Sequence, residues 1–302
     1  MDLGTDQLRT FIRVSEQGSF SKAAQTLGMS QSTISTQIAT LEKQAGLSLF
    51  DRSQRPVKLT EAGIIFSRIG TQIINQTEQL DRLLRELSGG IAGEVKIGTT
   101  TSIGAFILPR IVSRLLQESP KIRLDVTIKP LSSICESVRQ GETDFGLVLS
   151  QTEPRGLAAK TLKRERLCFV VSPRHPLAEA TVNLADLRNC SFVVGAKSGG
   201  YTAMIERLLE RNGLFGYDVA LRVGSFEAIK ETVRAGLGVG LLPHFMIRRE
   251  LTSGVLSEIT VKGKPFFVEI IMIDRAKPAH TPTLVSVQSF IEDHFRTARS
   301  LA

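Results

Sequence analysis

Apolar positions recur along the chain at helical spacing first and at alternating helical and strand spacing later, dividing it into three zones. In residues 1–60, Leu8, Phe11 and Ile12 with Ser15 follow the i, i+3, i+4, i+7 rule for one helix face, and Gly18 stops that helix. Ser19 and Ser21 are candidate N-caps for a short helix carrying Ala23, Ala24 and Leu27. Gly28-Met29 makes a tight turn. Ser30 then caps a third helix with Ile34, Ile38, Leu41 and Ala45 on its inner face, and Gly46 ends it. Two short extended runs, 47–52 and 57–59, are joined by the turn-rich Ser53-Gln54-Arg55-Pro56.

Residues 61–88 predict one long helix with Thr60 as N-cap and Glu61 in its first turn, where the helix dipole favours an anion. Ile69, Ile73, Gln76, Leu80, Leu83 and Leu87 are spaced 4-3-4-3-4, a heptad seam. A helix with one apolar stripe needs a partner, and the simplest is its own copy. Gln76 either fixes the register or marks a splayed crossing. Residues 89–93 read as a hinge.

From 94 onward, strands alternate with helices. Strands are expected at 95–98, 123–128, 145–149, 167–172, 192–194, 220–223, 239–242 and 268–273. Helices are expected at 103–117, 134–140, 201–211, 226–235 and 284–297. Such alternation implies parallel sheets wrapped by helices, and the length suits two subdomains. The expected partition is lobe I at about 94–164 and 268–302, and lobe II at about 165–267.

Composition narrows the class. The 302 residues are 42% hydrophobic and 23% charged, an ordinary soluble globular balance. No apolar run is long enough for a membrane span, and the acidic start shows no secretory signal. Cys135, Cys168 and Cys190 are odd in number and well separated, which fits a reducing cytoplasm better than a disulfide framework or a zinc site. The net charge of +8 sits mostly beyond residue 88. It is therefore not by itself a DNA-binding signal, and it favours either an anionic ligand in the larger part or mere solubility.

The chemistry lies in the second and third helices. The outer face of the third opens with Gln31, Ser32, Thr33, Ser35, Thr36 and Gln37, short hydrogen-bonding side chains of the kind that meet base edges in a major groove. No Asp or Glu occurs from Gln17 through Leu41 to repel phosphate. Alone, this face is also what a solvated helical bundle shows. Arg52, Arg55 and Lys58 on the following hairpin strengthen the nucleic-acid reading, because a basic hairpin after a helix-turn-helix is a wing.

These residues resemble the LysR-type transcriptional regulators. The matching pieces are Leu8-Arg9-Thr10-Phe11, Gly18-Ser19-Phe20-Ser21-Lys22-Ala23-Ala24, Leu27, Ser30-Gln31-Ser32-Thr33-Ile34-Ser35, Ile38, Leu41-Glu42, Gly46, Leu49-Phe50-Asp51-Arg52 and Leu59-Thr60-Glu61-Ala62-Gly63. Weaker matches run on through the opening strand with Thr99-Thr100-Thr101-Ser102, Leu108-Pro109, 141–146, His175-Pro176-Leu177 and 236–243. Ser32 departs from the proline many members carry, which puts operator preference in doubt.

The resemblance implies an α+β multidomain chain: an N-terminal winged helix-turn-helix, a dimerising linker helix and a C-terminal two-lobed α/β effector domain like periplasmic binding proteins. It implies base reading by Gln31, Ser32, Ser35 and Thr36 and wing contacts by Arg52 and Arg55. Ser19, Ser21, Lys22, Ser30 and Thr33 complete the candidate DNA-contacting set. The implied partners are operator DNA, a small-molecule effector, further copies in a dimer of dimers, and RNA polymerase, with no membrane.

The candidate effector pocket begins at Thr99-Thr100-Thr101-Ser102, four hydroxyls at a strand's carboxyl end leading into a helix, which suits an anion. Ordinary helix capping needs only one of them. The resemblance singles out Thr100 and Ser102. Opposite them stand Ser198-Gly199-Gly200-Tyr201 and Ser225-Phe226, with Leu131-Ser132 and Val148-Leu149 as further lining. Catalytic, metal and cofactor signatures do not assemble: Gly236, Gly238 and Gly240 sit at a strand as close-packing positions, and the four histidines lack ligand spacing. The rivals are an enzyme or solute carrier on the two-lobed domain, and an architectural DNA binder without effector control.

Overall fold

The computed structural model describes residues 3–89, 92–197, 199–276 and 280–299. They form two compact units, the first holding the chain through the long helix together with Gln140–Glu142, the second holding the rest. Among the described residues, no helix is long and apolar enough to cross a membrane.

The first unit opens with α1 (Thr5–Gln17), α2 (Phe20–Leu27) and α3 (Gln31–Ala45). Gly18, Gly28 and Gly46 close them at φ 58°, 64° and 66°, left-handed conformations that cost other residues about 1–2 kcal/mol. Ser19 and Ser30 cap α2 and α3, accepting from Lys22 N at 3.3 Å and Thr33 N at 3.1 Å. Ser21, the alternative cap, instead donates its hydroxyl to Gln31 Oε1 at 2.9 Å. Leu8, Phe11, Ile34, Ile38 and Leu41 make the small core; Val14 takes the inward position expected of Ser15, which is half-buried. The hairpin of β1 (Phe50–Asp51) and β2 (Lys58–Leu59) pairs Phe50 with Leu59 and lays the Phe50 ring 5.0 Å from Phe11.

α4 (Glu61–Gly89) is capped by Thr60, whose Oγ1 accepts from Gly63 N at 3.0 Å. Along the heptad seam Ile69, Ile73, Gln76, Leu80 and Leu87 are exposed and Leu83 is half-buried. Of the expected hinge at 89–93, Gly89 is the last residue of α4, while Gly90 and Ile91 lie outside the described residues.

The second unit runs β3 (Glu94–Thr99), α5 (Thr101–Phe106), α6 (Leu108–Glu118), β4 (Arg123–Ile128), α7 (Leu131–Gln140) and β5 (Phe145–Ser150). It continues with β6 (Ala158–Val171), β7 (Thr181–Val182), a 3₁₀ turn (Leu184–Asn189), β8 (Ser191–Gly195), α8 (Gly200–Arg211), β9 (Asp218–Val223) and α9 (Phe226–Arg234). β10 (Gly240–Pro243), α10 (His244–Thr252), β11 (Ser257–Val261), β12 (Phe267–Asp274) and α11 (Pro282–Arg299) complete it. The main sheet has the order β4-β3-β5-β12-β6-β11-β7, with β10 also on β6; β8 and β9 pair separately.

Two expectations change. The sheets are mixed: β4-β3-β5 and β8-β9 are parallel, but β12 is antiparallel to both β5 and β6. β6 runs past its expected start because its first part, 158–166, pairs with β12, while 167–171 pairs with β10 and β11. Outgoing and returning chain lie side by side there, and that geometry pairs antiparallel. The helix expected at 103–117 is two helices broken at Ile107, because Pro109 has no N–H for the helical ladder and its ring crowds the preceding turn.

Candidate DNA-reading surface and effector cavity

The polar face of α3 is held from beneath. Ile34, Ile38 and Leu41 are fully buried, and the small Ala23 and Ala24 let α2 pack closely. That fixes Gln31, Ser32, Thr33 and Thr36 outward and exposed, with Ser35 half-buried beside them. Ser30 Oγ lies 2.7 Å from Ser32 Oγ and 2.8 Å from Thr33 Oγ1, so the helix start is a cluster of linked hydroxyls. Gln37 departs from the sequence expectation: its Oε1 accepts from Thr10 at 2.6 Å, which removes it from the outer face.

The hairpin cations divide into two kinds. Arg52 Nη2 bonds Glu42 Oε2 at 2.8 Å, and its guanidinium lies 5.3 Å from the Phe20 ring centroid. Glu42 Oε1 meanwhile accepts from Leu49 N and Phe50 N at 2.8 and 3.1 Å. Arg52 thus fastens the wing to α3. Arg55 and Lys58 are exposed, and among the described residues neither has an ion-pair partner. The Ser53 hydroxyl, Ser53 N and Gln54 Nε2 donate to Asp51 at 2.6, 3.0 and 3.0 Å. These bonds order the tip and hold the Asp51 carboxyl below its ordinary range. Ser19 and Lys22 are at the start of α2, with Lys22 exposed.

The second unit contains a cavity of about 550 Å³. Five chain segments line it: those following β3, β4, β8 and β9 into helices, and the end of β5. Placement outside the carboxyl ends of parallel strands is where open α/β sheets bind ligands. Thr100, Thr101, Ser102, Leu131, Gly199, Gly200 and Phe226 all line it, as expected from the sequence. Thr100 Oγ1 and Ser102 Oγ stand 3.2 Å apart.

Two expected residues are elsewhere. Val148 is fully buried with Ile134, Cys135 and Ile271 on the opposite face of the sheet, because side chains alternate along β5; its neighbour Leu149 faces the cavity. Ser132 is exposed and outside the lining, one position round α7 from Leu131. Ser198 lies outside the described residues.

Sequence reasoning missed Lys129, Arg207 and Arg211, three cations in the lining. It also missed the support of the wall. Tyr201 OH donates to Leu241 O at 2.9 Å, and its ring meets Phe226 edge-on at 5.0 Å. Burial of its hydroxyl pushes Tyr201 well above its ordinary pKa, so it stays a neutral donor. The cysteines are free, and burial pushes the Cys168 thiol up to about 12, far from thiolate chemistry.

Comparisons with known proteins agree with this geometry. The sequence pattern described as bacterial regulatory helix-turn-helix protein, lysR family, matches residues 5–64, and that of the LysR substrate binding domain matches 88–296. A probable RuBisCO transcriptional regulator of Cyanidioschyzon merolae is 32% identical over 265 residues, covering 85% of this chain and 87% of that protein. The HTH-type transcriptional regulator CysL of Bacillus subtilis is 30% identical over 259 residues, covering 85% of this chain and 86% of its own. Among solved structures, a full-length OxyR variant from Pseudomonas aeruginosa superposes with a TM-score of 0.72 at 21% identity, covering 98% of this chain and 95% of that one. CbnR complexed with its target DNA gives 0.68 at 22% identity, covering 96% and 99%. The chain belongs to the LysR family and is a DNA-binding transcriptional regulator with an effector-binding substrate domain.

Proposed function

We propose that α3 lies in the major groove, with Gln31, Ser32, Ser35 and Thr36 at base edges and Ser19, Ser21, Lys22, Ser30 and Thr33 toward the flanking backbone. Arg55 reaches phosphate from the wing tip, and Arg52 holds the wing in place. The observation that carries this is the acid-free polar face of α3, kept outward by the buried row Ile34, Ile38 and Leu41. The exposed seam of α4 pairs with a second copy, and two such dimers bind neighbouring sites. Residues 1–60 form the DNA-reading domain, 61–88 the dimerising helix and 94–302 the effector domain. Work on the chromosome places the protein in the cytoplasm. There an anionic effector enters the cavity, leaves it chemically unchanged, and alters the spacing of the DNA-binding dimers and their contact with RNA polymerase.

The test is selection of binding sites from random duplexes, followed by variants. Gln31→Ala is expected to relax preference at one or two base positions by about 1–3 kcal/mol. Arg55→Ala is expected to weaken all sequences alike and to lower the salt slope by about one. Equal retention of random and selected duplexes at moderate ionic strength overturns the reading. For the cavity, Thr100→Ala with Ser102→Ala is expected to weaken the effector response of promoter output while operator affinity stays; a collapse of operator affinity overturns the assignment.

A further inference from the structure

The cavity is long, and its two ends differ. Gly200, Met204, Arg207 and Arg211 are spaced 4-3-4 along α8 and all face it, so the cavity follows one side of this helix. Thr202 stands in the first turn of α8, and the hydroxyls of Thr100 and Ser102 share the same lining. Thr202 is only 4% exposed, and among the described residues its hydroxyl has no hydrogen-bond partner. It occupies space that a side chain at position 195 would fill: a Cβ on Gly195 would collide with Thr202 Oγ1. With a rise of 1.5 Å per residue, Arg207 lies about 10 Å further along the helix axis than Gly200, and Arg211 about 16 Å.

The two lining residues furthest along α8, Arg207 and Arg211, are both cations and both exposed, and Lys129, also exposed, joins the lining from the segment after β4. None of the lining residues is Asp or Glu, and among the described residues no ion pair engages Lys129, Arg207 or Arg211. Met204, Leu149 and Ile128 supply apolar wall. A single small anion fills only one end of about 550 Å³.

We propose that the effector is an elongated organic anion with an acidic group at each end. One group sits on the hydroxyls and the first N–H groups of α8; the other sits on Arg207 and Arg211, with Lys129 as the third cation of the lining. An ammonium group on the ligand finds no carboxylate here to receive it. This inference rests on the effector role of the cavity and adds the ligand's charge number and shape. Carboxylate and phosphate share this chemistry.

The test is a thermal-shift titration of the full chain with four probes: suberate, monomethyl suberate, 1,8-diaminooctane and hexane-1,6-diyl bisphosphate. Suberate or the bisphosphate is expected to raise Tm at a concentration at least tenfold below that of the monoester, and the diamine is expected to give no shift. The stronger of the two dianions identifies the headgroup. Arg207→Gln with Arg211→Gln is expected to bring dianion and monoester within about twofold of one another, since a second anionic group then gains nothing. Thr100→Ala with Ser102→Ala is expected to weaken both in proportion. A monoester as strong as suberate, a dianion advantage that survives loss of both arginines, or no shift with either dianion overturns the proposal. If shifts occur and the Thr100/Ser102 double variant leaves all of them unchanged, the cavity is not the effector site and the underlying reading fails as well. If that variant abolishes the shifts while charge number makes no difference, only the present proposal fails.

Discussion

The two units meet anions by opposite means. Through residue 88 the chain carries ten Lys/Arg against nine Asp/Glu, while from 89 onward it carries 28 against 21. The unit that binds a polyanion is therefore nearly neutral. It offers hydroxyls and amides on a helix held by a buried row, with exposed cations such as Lys22, Arg55 and Lys58 beside it. The unit that takes a small molecule has three cations around one cavity and no acid among them. Net charge locates neither site. Sequence discrimination needs short groups held in register, for which charge is only an anchor. A small ligand gains from several cations gathered around one cleft, whose like charges raise its local concentration.

The largest way to separate the units is to remove the support of one. Ile38 is fully buried in a core that the second unit does not share. Ile38→Ala is expected to cost about 2–5 kcal/mol, most of what so small a core supplies. Operator binding is then lost, while hydrogen-exchange protection of β6 and β12 in the second unit persists. If protection falls in both units together, they are one cooperative body and the contrast between them is void.

This contrast also explains what was legible in the sequence. The stops at Gly18, Gly28 and Gly46 and the caps at Ser19, Ser30 and Thr60 depend on residues within four positions of each other, so the first unit reads off almost directly. The cavity is assembled from segments more than a hundred positions apart. Hydroxyl- and glycine-rich turns marked some of them. Lys129, Arg207 and Arg211 resembled ordinary surface charge, although the 4-3-4 spacing from Gly200 was there to be read. The first part of β6 was hidden for a related reason. Lys160, Lys163, Arg164 and Arg166 interrupt its apolar positions, and their partners Glu292, Glu165 and Glu258, or the Phe267 ring, come mostly from distant sequence. α10 went unread because Pro243 looks like an end, whereas it is the N-cap of that helix.

A smaller effect tests the seam of α4. Leu80 is 54% exposed in the single chain. Leu80→Glu is expected to change the stability of the isolated chain by no more than about 0.5 kcal/mol. In a paired seam, however, it buries a carboxylate among apolar side chains, at a cost of several kcal/mol. Sedimentation is expected to show monomers where the parent protein gives dimers or tetramers. An unchanged sedimentation coefficient would place the contact between copies elsewhere.

The smallest expected effect is a difference in pH response. All four histidines, at 175, 244, 280 and 294, belong to the second unit. Burial lowers the pKa of His175, His244 and His294, with Arg166 adding to the shift at His244 and Arg114 to that at His294. A histidine whose folded pKa is depressed binds its proton more readily in the unfolded chain, so stability rises with pH through this range. The contribution is complete above the unfolded value of 6.5 and is lost as pH falls through the lower folded values. In the first unit, the lowered carboxyl of Asp51 works in the same direction but only below its ordinary 3.8. Between pH 7 and pH 5, then, hydrogen exchange corrected for its intrinsic rate is expected to speed up at Val170 and Ile271 and to stay level at Ile34 and Ile38. Equal acceleration in both units would mean that groups other than these histidines govern the acid response, and the electrostatic contrast would narrow to the cavity alone.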